Sequence, residues 1–192
     1  PPSPTPSPPP FECTTPILAL HAQLSSRAFL TVHGAELAID GRHDTLSATA
    51  IHASNWLSLR LTVSTESWSG HVLVYNRADS AVYQAWLGRF EVWVGGGGYG
   101  DVSSASATRC GEATAAPTGV GPYAIECPFV RGEYVTIRQL GAPRHLTLAE
   151  VEVFATAQPW PPSPPSRPPP SLPPPPPPPP GGPPPPPTLP PP

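Results

Sequence analysis

Hydrophobic and polar residues alternate with a period of two through the middle of the chain. In Leu57-Ser-Leu-Arg-Leu-Thr-Val63 every aliphatic side chain falls on one face, the pattern of a half-buried strand. His71-Val-Leu-Val-Tyr75 is a denser version of it, and Arg89-Phe-Glu-Val-Trp-Val94 and Tyr134-Val-Thr-Ile-Arg138 alternate again. A last strand runs from Leu146-Thr-Leu148 through Val151 and Val153 to Phe154. Turn chemistry separates these segments at Asp40-Gly41, Gly95 to Gly98, Arg131-Gly132 and Gly141-Ala-Pro143. Only Ser80 to Leu87 carries a helical period, and it is long enough for one turn or a loop. Several short strands at this spacing predict an all-β fold, an antiparallel jelly-roll sandwich.

The alternation stops at both ends. Residues 1–10 read PPSPTPSPPP, and the stretch from Pro159 to Pro192 holds 24 prolines in 34 residues. Its unbroken run is Pro173, Pro174, Pro175, Pro176, Pro177, Pro178, Pro179 and Pro180. Proline fixes φ near −65° and has no N–H, so such a run joins neither a helix nor a sheet ladder. It favours polyproline II tails, rising about 3.1 Å per residue, or roughly 100 Å for the longer one. The sequence thus divides into a Pro-rich segment (1–10), a β domain (11–158) and a polyproline II rod (159–192). The middle part, about 148 residues, is a normal size for one domain with a full core. Trp160, at the start of the rod, is placed to stack on proline rings or to plug the domain edge.

Charge and composition narrow the function. The net charge is −3, all ten basic residues are Arg, and they are scattered rather than clustered. Nucleic-acid binding has no electrostatic footprint here, and no apolar run approaches a membrane span. With no initiator Met and no leader, the chain reads as a mature product or a piece of a longer one. Of three cysteines, Cys110 and Cys127 bracket a loop rich in Gly, Ala, Pro and Thr. A disulfide between them is expected to contribute roughly 3 kcal/mol by the chain-entropy model, and implies a secreted protein. A metal site is the poorer alternative, since neither cysteine has a further Cys or His close by. Cys13 is left over, either a free buried thiol or half of an intermolecular bond.

Catalytic signals fail one by one. The Gly95-to-Gly98 run lacks a following Gly-Lys-Ser/Thr and reads as a flexible hairpin loop, not a phosphate cradle. Six histidines show no metal-ligand spacing, and no serine sits in a nucleophile elbow. The tryptophans other than Trp160 read as core and strand residues, and an enzyme is not expected. Neither Asn55 nor Asn76 begins an N-glycosylation sequon.

A set of short motifs follows one order: Ala38-Ile-Asp-Gly41, Trp56 opening a strand, Val74-Tyr-Asn-Arg77-Ala-Asp79, Glu91-Val-Trp-Val-Gly95 and Leu148-Ala-Glu-Val-Glu-Val153. From Ile17 to Ala155 this order resembles the F-type (fucose-binding) lectins, relatives of the discoidin and coagulation-factor C-type domains. The resemblance implies an eight-stranded jelly roll. It also implies a sugar site built on a His, 24 residues, Arg-x-Asp, and a basic residue five after the Asp. His52, Arg77 and Asp79 match; the fourth position is Gln84, and the cysteine pair that packs on the sugar in many members is Ser80-Ala81 here. Losing a charged donor removes about 1.5–3 kcal/mol, so weak or absent fucose binding is expected. The alternative is a leftover scaffold, with Arg77 and Asp79 paired in a loop and His52 on the surface. A second family disulfide is missing at both ends, at Ala50 and Ala149. The resemblance further implies a structural calcium ion, at positions matching Leu37, Asp40, Arg42, Thr49, Ala149 and Glu150. Two carboxylates, a hydroxyl and three carbonyls would satisfy its need for six to eight oxygens. Against this, Asp40 caps the Asp-Gly turn and Glu150 pairs with an Arg.

The proline segments themselves resemble the hydroxyproline-rich glycoproteins of algal and plant walls, such as extensins and pherophorins. That likeness implies hydroxylated prolines bearing O-linked sugars, especially over Pro173 to Pro180. The expected function is a structural subunit of an extracellular glycoprotein fibre or surface appendage, packing head to tail with copies of itself. The alternative is a calcium-dependent fucose-binding module displayed on a Pro-rich stalk.

Overall fold

The computed structural model describes residues 14–62, 67–111 and 114–156. The Pro-rich segments, Cys13, Trp160 and the expected glycosylation run Pro173 to Pro180 lie outside the described residues.

Eleven strands occur among the described residues, all paired antiparallel. One sheet places β1 (Thr14–Ile17), β11 (Glu150–Thr156), β5 (Ser67–Tyr75) and β8 (Tyr123–Arg131) side by side. The other runs β2 (Ala19–Leu24), β4 (Trp56–Leu61), β9 (Tyr134–Gln139), β6 (Phe90–Val94) and β7 (Thr108–Cys110). A short pair, β3 (Ser47–Ala48) with β10 (Thr147–Leu148), lies outside both. This is the all-β sandwich that the alternation predicts. The count exceeds eight because two- and three-residue segments such as β3, β7 and β10 are paired as well.

Register explains why the alternation works. Residues directly opposite in a ladder share a face, so Leu24, Leu57, Ile137, Val92 and Cys110 form one row across the five-stranded sheet. Ile17, Val153, Val72 and Ile125 form the facing row of the other sheet. These inner faces make the hydrophobic core. Cys110 on β7 and Cys127 on β8 are bonded, tying an edge of one sheet to an edge of the other.

Strand β8 carries no clean alternation, because Pro128 and a left-handed Phe129 (φ 50°) interrupt it. Proline is tolerated there because β8 is an edge strand. The segment Ser80 to Leu87 contributes one turn, α1 (Ala81–Gln84). The glycine run joins β6 to β7, and beyond it Gly100, at φ 70°, lies flat against the Trp56 ring, where a Cβ would collide.

On the outer face of the five-stranded sheet, Ser58 and Thr136 share a hydrogen bond of 2.8 Å with both side chains buried. Ser58→Ala leaves the Thr136 hydroxyl without that partner and is expected to cost about 1–2 kcal/mol in denaturant unfolding. Ser58→Ala combined with Thr136→Val should recover most of the loss. An unaltered midpoint in the single variant would refute this.

Candidate functional site

Strand β5 ends at Tyr75, and the chain turns sharply through Asn76. The buried Asn76 amide donates to the carbonyls of Gln84 (2.9 Å) and Gly119 (3.1 Å), and its Oδ1 accepts from the Arg77 N–H (2.9 Å). That anchor delivers Arg77 to the edge of an open cleft of about 580 Å³, lined among others by His33, Leu37, His43, Asp44 and Asp79. The Arg77 side chain is 9% exposed and holds Asp79 with two hydrogen bonds, Nε to Oδ1 at 2.7 Å and Nη2 to Oδ2 at 2.5 Å. The hydrogen bond from Arg77 holds the Asp79 carboxyl below the usual carboxylate range. A bidentate pair fixes the guanidinium plane, and the rings of Tyr83 and Trp86 lie 4.8 and 5.3 Å from its centre.

Neither of the other two positions of the expected sugar motif hydrogen-bonds to this pair among the described residues. His52 is exposed, with Nδ1 2.9 Å from the Ala53 carbonyl and its backbone bridged to Arg144. It is not among the residues that line the cleft. Gln84, half-buried at the end of α1, contributes its carbonyl to Asn76, and its side chain makes no hydrogen bond among the described residues. Ser80-Ala81, in place of the cysteine pair, opens α1: the Ser80 carbonyl accepts from the N–H groups of Tyr83 and Gln84 at 3.2 Å each. Trp86 differs from the expectation of a strand or core tryptophan. It follows α1, half-buried, with His145 4.4 Å and Tyr83 4.7 Å from it between ring centres and Phe29 edge-on at 6.0 Å.

Along one wall of the cleft, the loop from the 3-10 turn Ala35–Ala38 to Thr45 gathers oxygens. The Thr45 hydroxyl lies 3.3 Å from the Leu37 carbonyl, 3.1 Å from Asp40 Oδ1 and 3.1 Å from the Arg42 carbonyl. One hydroxyl proton cannot serve three acceptors, so the loop concentrates more negative potential than it neutralises. Asp40 Oδ1 also accepts from the Arg42 N–H at 2.9 Å, capping the turn. The Arg42 side chain turns outward to Asp44, at 2.9 Å. Glu150, 3% exposed, accepts from the Gly41 N–H at 3.1 Å rather than from an arginine. Gly41 reaches it in a left-handed conformation, φ 75°. Burial pushes the Glu150 carboxyl up to about 7, the charge of Asp40 adds to this, and the Gly41 N–H works against it.

Thr49 and Ala149 are buried beside β3 and β10. The Thr49 carbonyl lies 2.7 Å from His145 Nδ1, its Oγ1 accepts from the Leu146 N–H at 2.9 Å, and the Ala149 N–H donates to the Tyr75 carbonyl at 2.9 Å. Leu37, Asp40, Arg42 and Glu150 are therefore joined around one turn, while Thr49 is bonded to His145 and Leu146 and the Ala149 N–H to Tyr75. No cluster of three His, Cys, Asp or Glu side chains suited to a metal occurs among the described residues. The donors are chiefly carbonyls and two carboxylates, a hard-oxygen set that fits calcium and no softer ion. Thr45 carries no sequence signal for this place, because only its position opposite three carbonyl or carboxylate oxygens marks it.

Next to this loop, His43 stacks on Tyr75 at 4.1 Å, and the Tyr75 hydroxyl donates to Glu152 Oε2 at 3.0 Å. Burial, helped by Glu152, pushes the phenol up to about 12.

No protein-family profile matches the chain, and no curated protein does. Solved structures do. A fucolectin from striped bass (Morone saxatilis) serum is 26% identical at a TM-score of 0.60, over 70% of this chain and 46% of that one. The chain therefore spans about half the length of the bass lectin chain. The lectin domain of lectinolysin, complexed with Lewis B antigen, is 25% identical at 0.58, over 71% of this chain and 93% of its own. A fucose binding module of Streptococcus pneumoniae, 21% identical at 0.54 over 71% of this chain and 92% of its own, shares the fold. Between its proline-rich ends, the chain is an F-type-lectin-like, discoidin-like jelly-roll domain.

Proposed function

We propose that the domain is a carbohydrate-binding module, supported by calcium and displayed outside the cell on proline-rich segments. The observation that carries it is the clamped Arg77–Asp79 pair at the mouth of an open cleft, in a fold whose structural neighbours include lectin domains. Arg77 keeps N–H donors beyond the two given to Asp79, and Asp79 keeps lone pairs beyond the two it has used. A donor and an acceptor fixed side by side suit the vicinal hydroxyls of a sugar. The intact Cys110–Cys127 bond belongs in an oxidising compartment. Leu37, Asp40, Arg42 and Glu150 would hold the calcium, which neutralises the two carboxylates and stiffens the loop that forms one wall of the cleft. The neighbours favour this reading over the fibre subunit, which rests on the proline segments alone.

Isothermal titration with a monosaccharide panel tests it. Fucose is expected to bind more weakly than micromolar, since Gln84 supplies no cation, and Gln84→Arg should tighten binding. Arg77→Ala should weaken any sugar about 10- to 150-fold, the loss of one charged hydrogen-bonding group. Sugar binding that is indifferent to Arg77→Ala, or no binding across a glycan array, would overturn the proposal.

A further inference from the structure

Six of the ten exposed large apolar side chains among the described residues sit at the loop end of the sandwich: Phe29, Leu30, Val32, Ile51, Val82 and Tyr83. They come from three segments that touch. The backbone bridge Ala28–Thr49 joins the first to the second, and the contact of Phe29 with Trp86 joins the first to the turn that carries Val82 and Tyr83. Val82 is 78% exposed, Phe29 44% and Tyr83 42%. The ring steps Tyr83–Trp86 (4.7 Å) and Trp86–Phe29 (6.0 Å) carry an aromatic surface across about one turn of polyproline II, ~9 Å. The Tyr83 hydroxyl and Trp86 Nε1 make no hydrogen bond among the described residues, and neither is buried without a partner.

A proline-rich segment has the complementary needs. It offers flat apolar rings and carbonyls, with few N–H groups of its own to satisfy them, and aromatic platforms with free donors recognise it. The sequence from residue 157 to 192 supplies such a segment, with Arg167 its one charged side chain. It begins after Thr156, at the end of β11 away from this surface, since β11 starts at Glu150 opposite Tyr75. We propose that the aromatic surface built by Phe29, Tyr83 and Trp86 takes the polyproline segment of a second copy of this chain, so that copies associate head to tail.

Sedimentation velocity of the full chain across a range of concentrations tests this. Association should rise with concentration and be dispersed by an excess of a synthetic peptide spanning Arg167 to Pro180. That peptide should also shift the tryptophan fluorescence of the wild-type chain. Tyr83→Ala and, independently, Val82→Asp should weaken peptide binding and association at least tenfold. Phe129→Ala, which removes another exposed ring far from this surface, should leave both unchanged. A chain that stays monomeric throughout, association that survives both variants, or a peptide that neither binds nor competes would each overturn the proposal.

Discussion

Opening the Cys110–Cys127 bond, by reduction or by Cys110→Ser with Cys127→Ser, is expected to destabilise the domain by about 3 kcal/mol. The bond closes a chain separation of 17 residues, for which the entropy gained by the unfolded chain is of that size. It is also the covalent link between two edge strands of opposite sheets, β7 and β8, so its loss frees the two edges to separate. Both sulfurs lie in the core, and the double serine variant adds buried hydroxyls without assured partners. Reduction should therefore be the milder treatment and the serine pair the harsher one. Thermal unfolding with and without reductant measures this; a midpoint shift under a few degrees in both would refute it. The same comparison bears on the cleft, because Gly119 and Tyr123, which brace Asn76 and the turn to Arg77, lie within the loop that the disulfide closes.

The second large effect concerns Glu150. Its folded-state pKa, about 7, lies above the ordinary 4.5. Between those two pH values the folded chain keeps a proton that the unfolded chain has lost, so stability falls as pH rises through the window. Below the window both states are protonated, and above it the loss is complete, about 3 kcal/mol by linkage. Without calcium, the wild-type protein should thus lose stability from about pH 4.5 to 7, while Glu150→Gln should lack that slope. Saturating calcium binds the ionised carboxylate, so it should stabilise the wild type increasingly toward pH 7 and above. It should do little for Glu150→Gln. Chemical unfolding at stepped pH, with calcium or with chelator, decides it. Parallel pH profiles for wild type and variant would refute the carboxylate's role, and a calcium-indifferent wild type would remove the ion from the proposed function.

The sandwich itself was legible because burial writes a period of two into a strand wherever one face is dry and the other wet. Leu57, Leu59 and Leu61, or Val92 and Val94, declare their face without any knowledge of their partners. The cysteine pair and the ordered motifs from Ala38-Ile-Asp-Gly41 to Leu148-Ala-Glu-Val-Glu-Val153 were equally local to the sequence, and the motifs placed the chain among lectin-like folds. Strand β8 escaped because Pro128 and the left-handed Phe129 break the alternation, which only its place at a sheet edge makes tolerable.

Other features were decided by tertiary structure alone. The oxygens that converge on Thr45 are mostly backbone carbonyls, which every residue possesses, so no residue type announces them. Trp86 reads like any strand tryptophan until Phe29 and His145, brought from distant parts of the chain, close around it beside Arg77. Glu150 looks like one more carboxylate of an alternating strand, and it becomes a titrating group near neutrality only because the 39–41 turn folds over it. Side-chain periodicity determines which residues are buried; the meeting of remote loops at one end of the sandwich determines which polar atoms share the burial, and the chemistry of the site follows from that meeting.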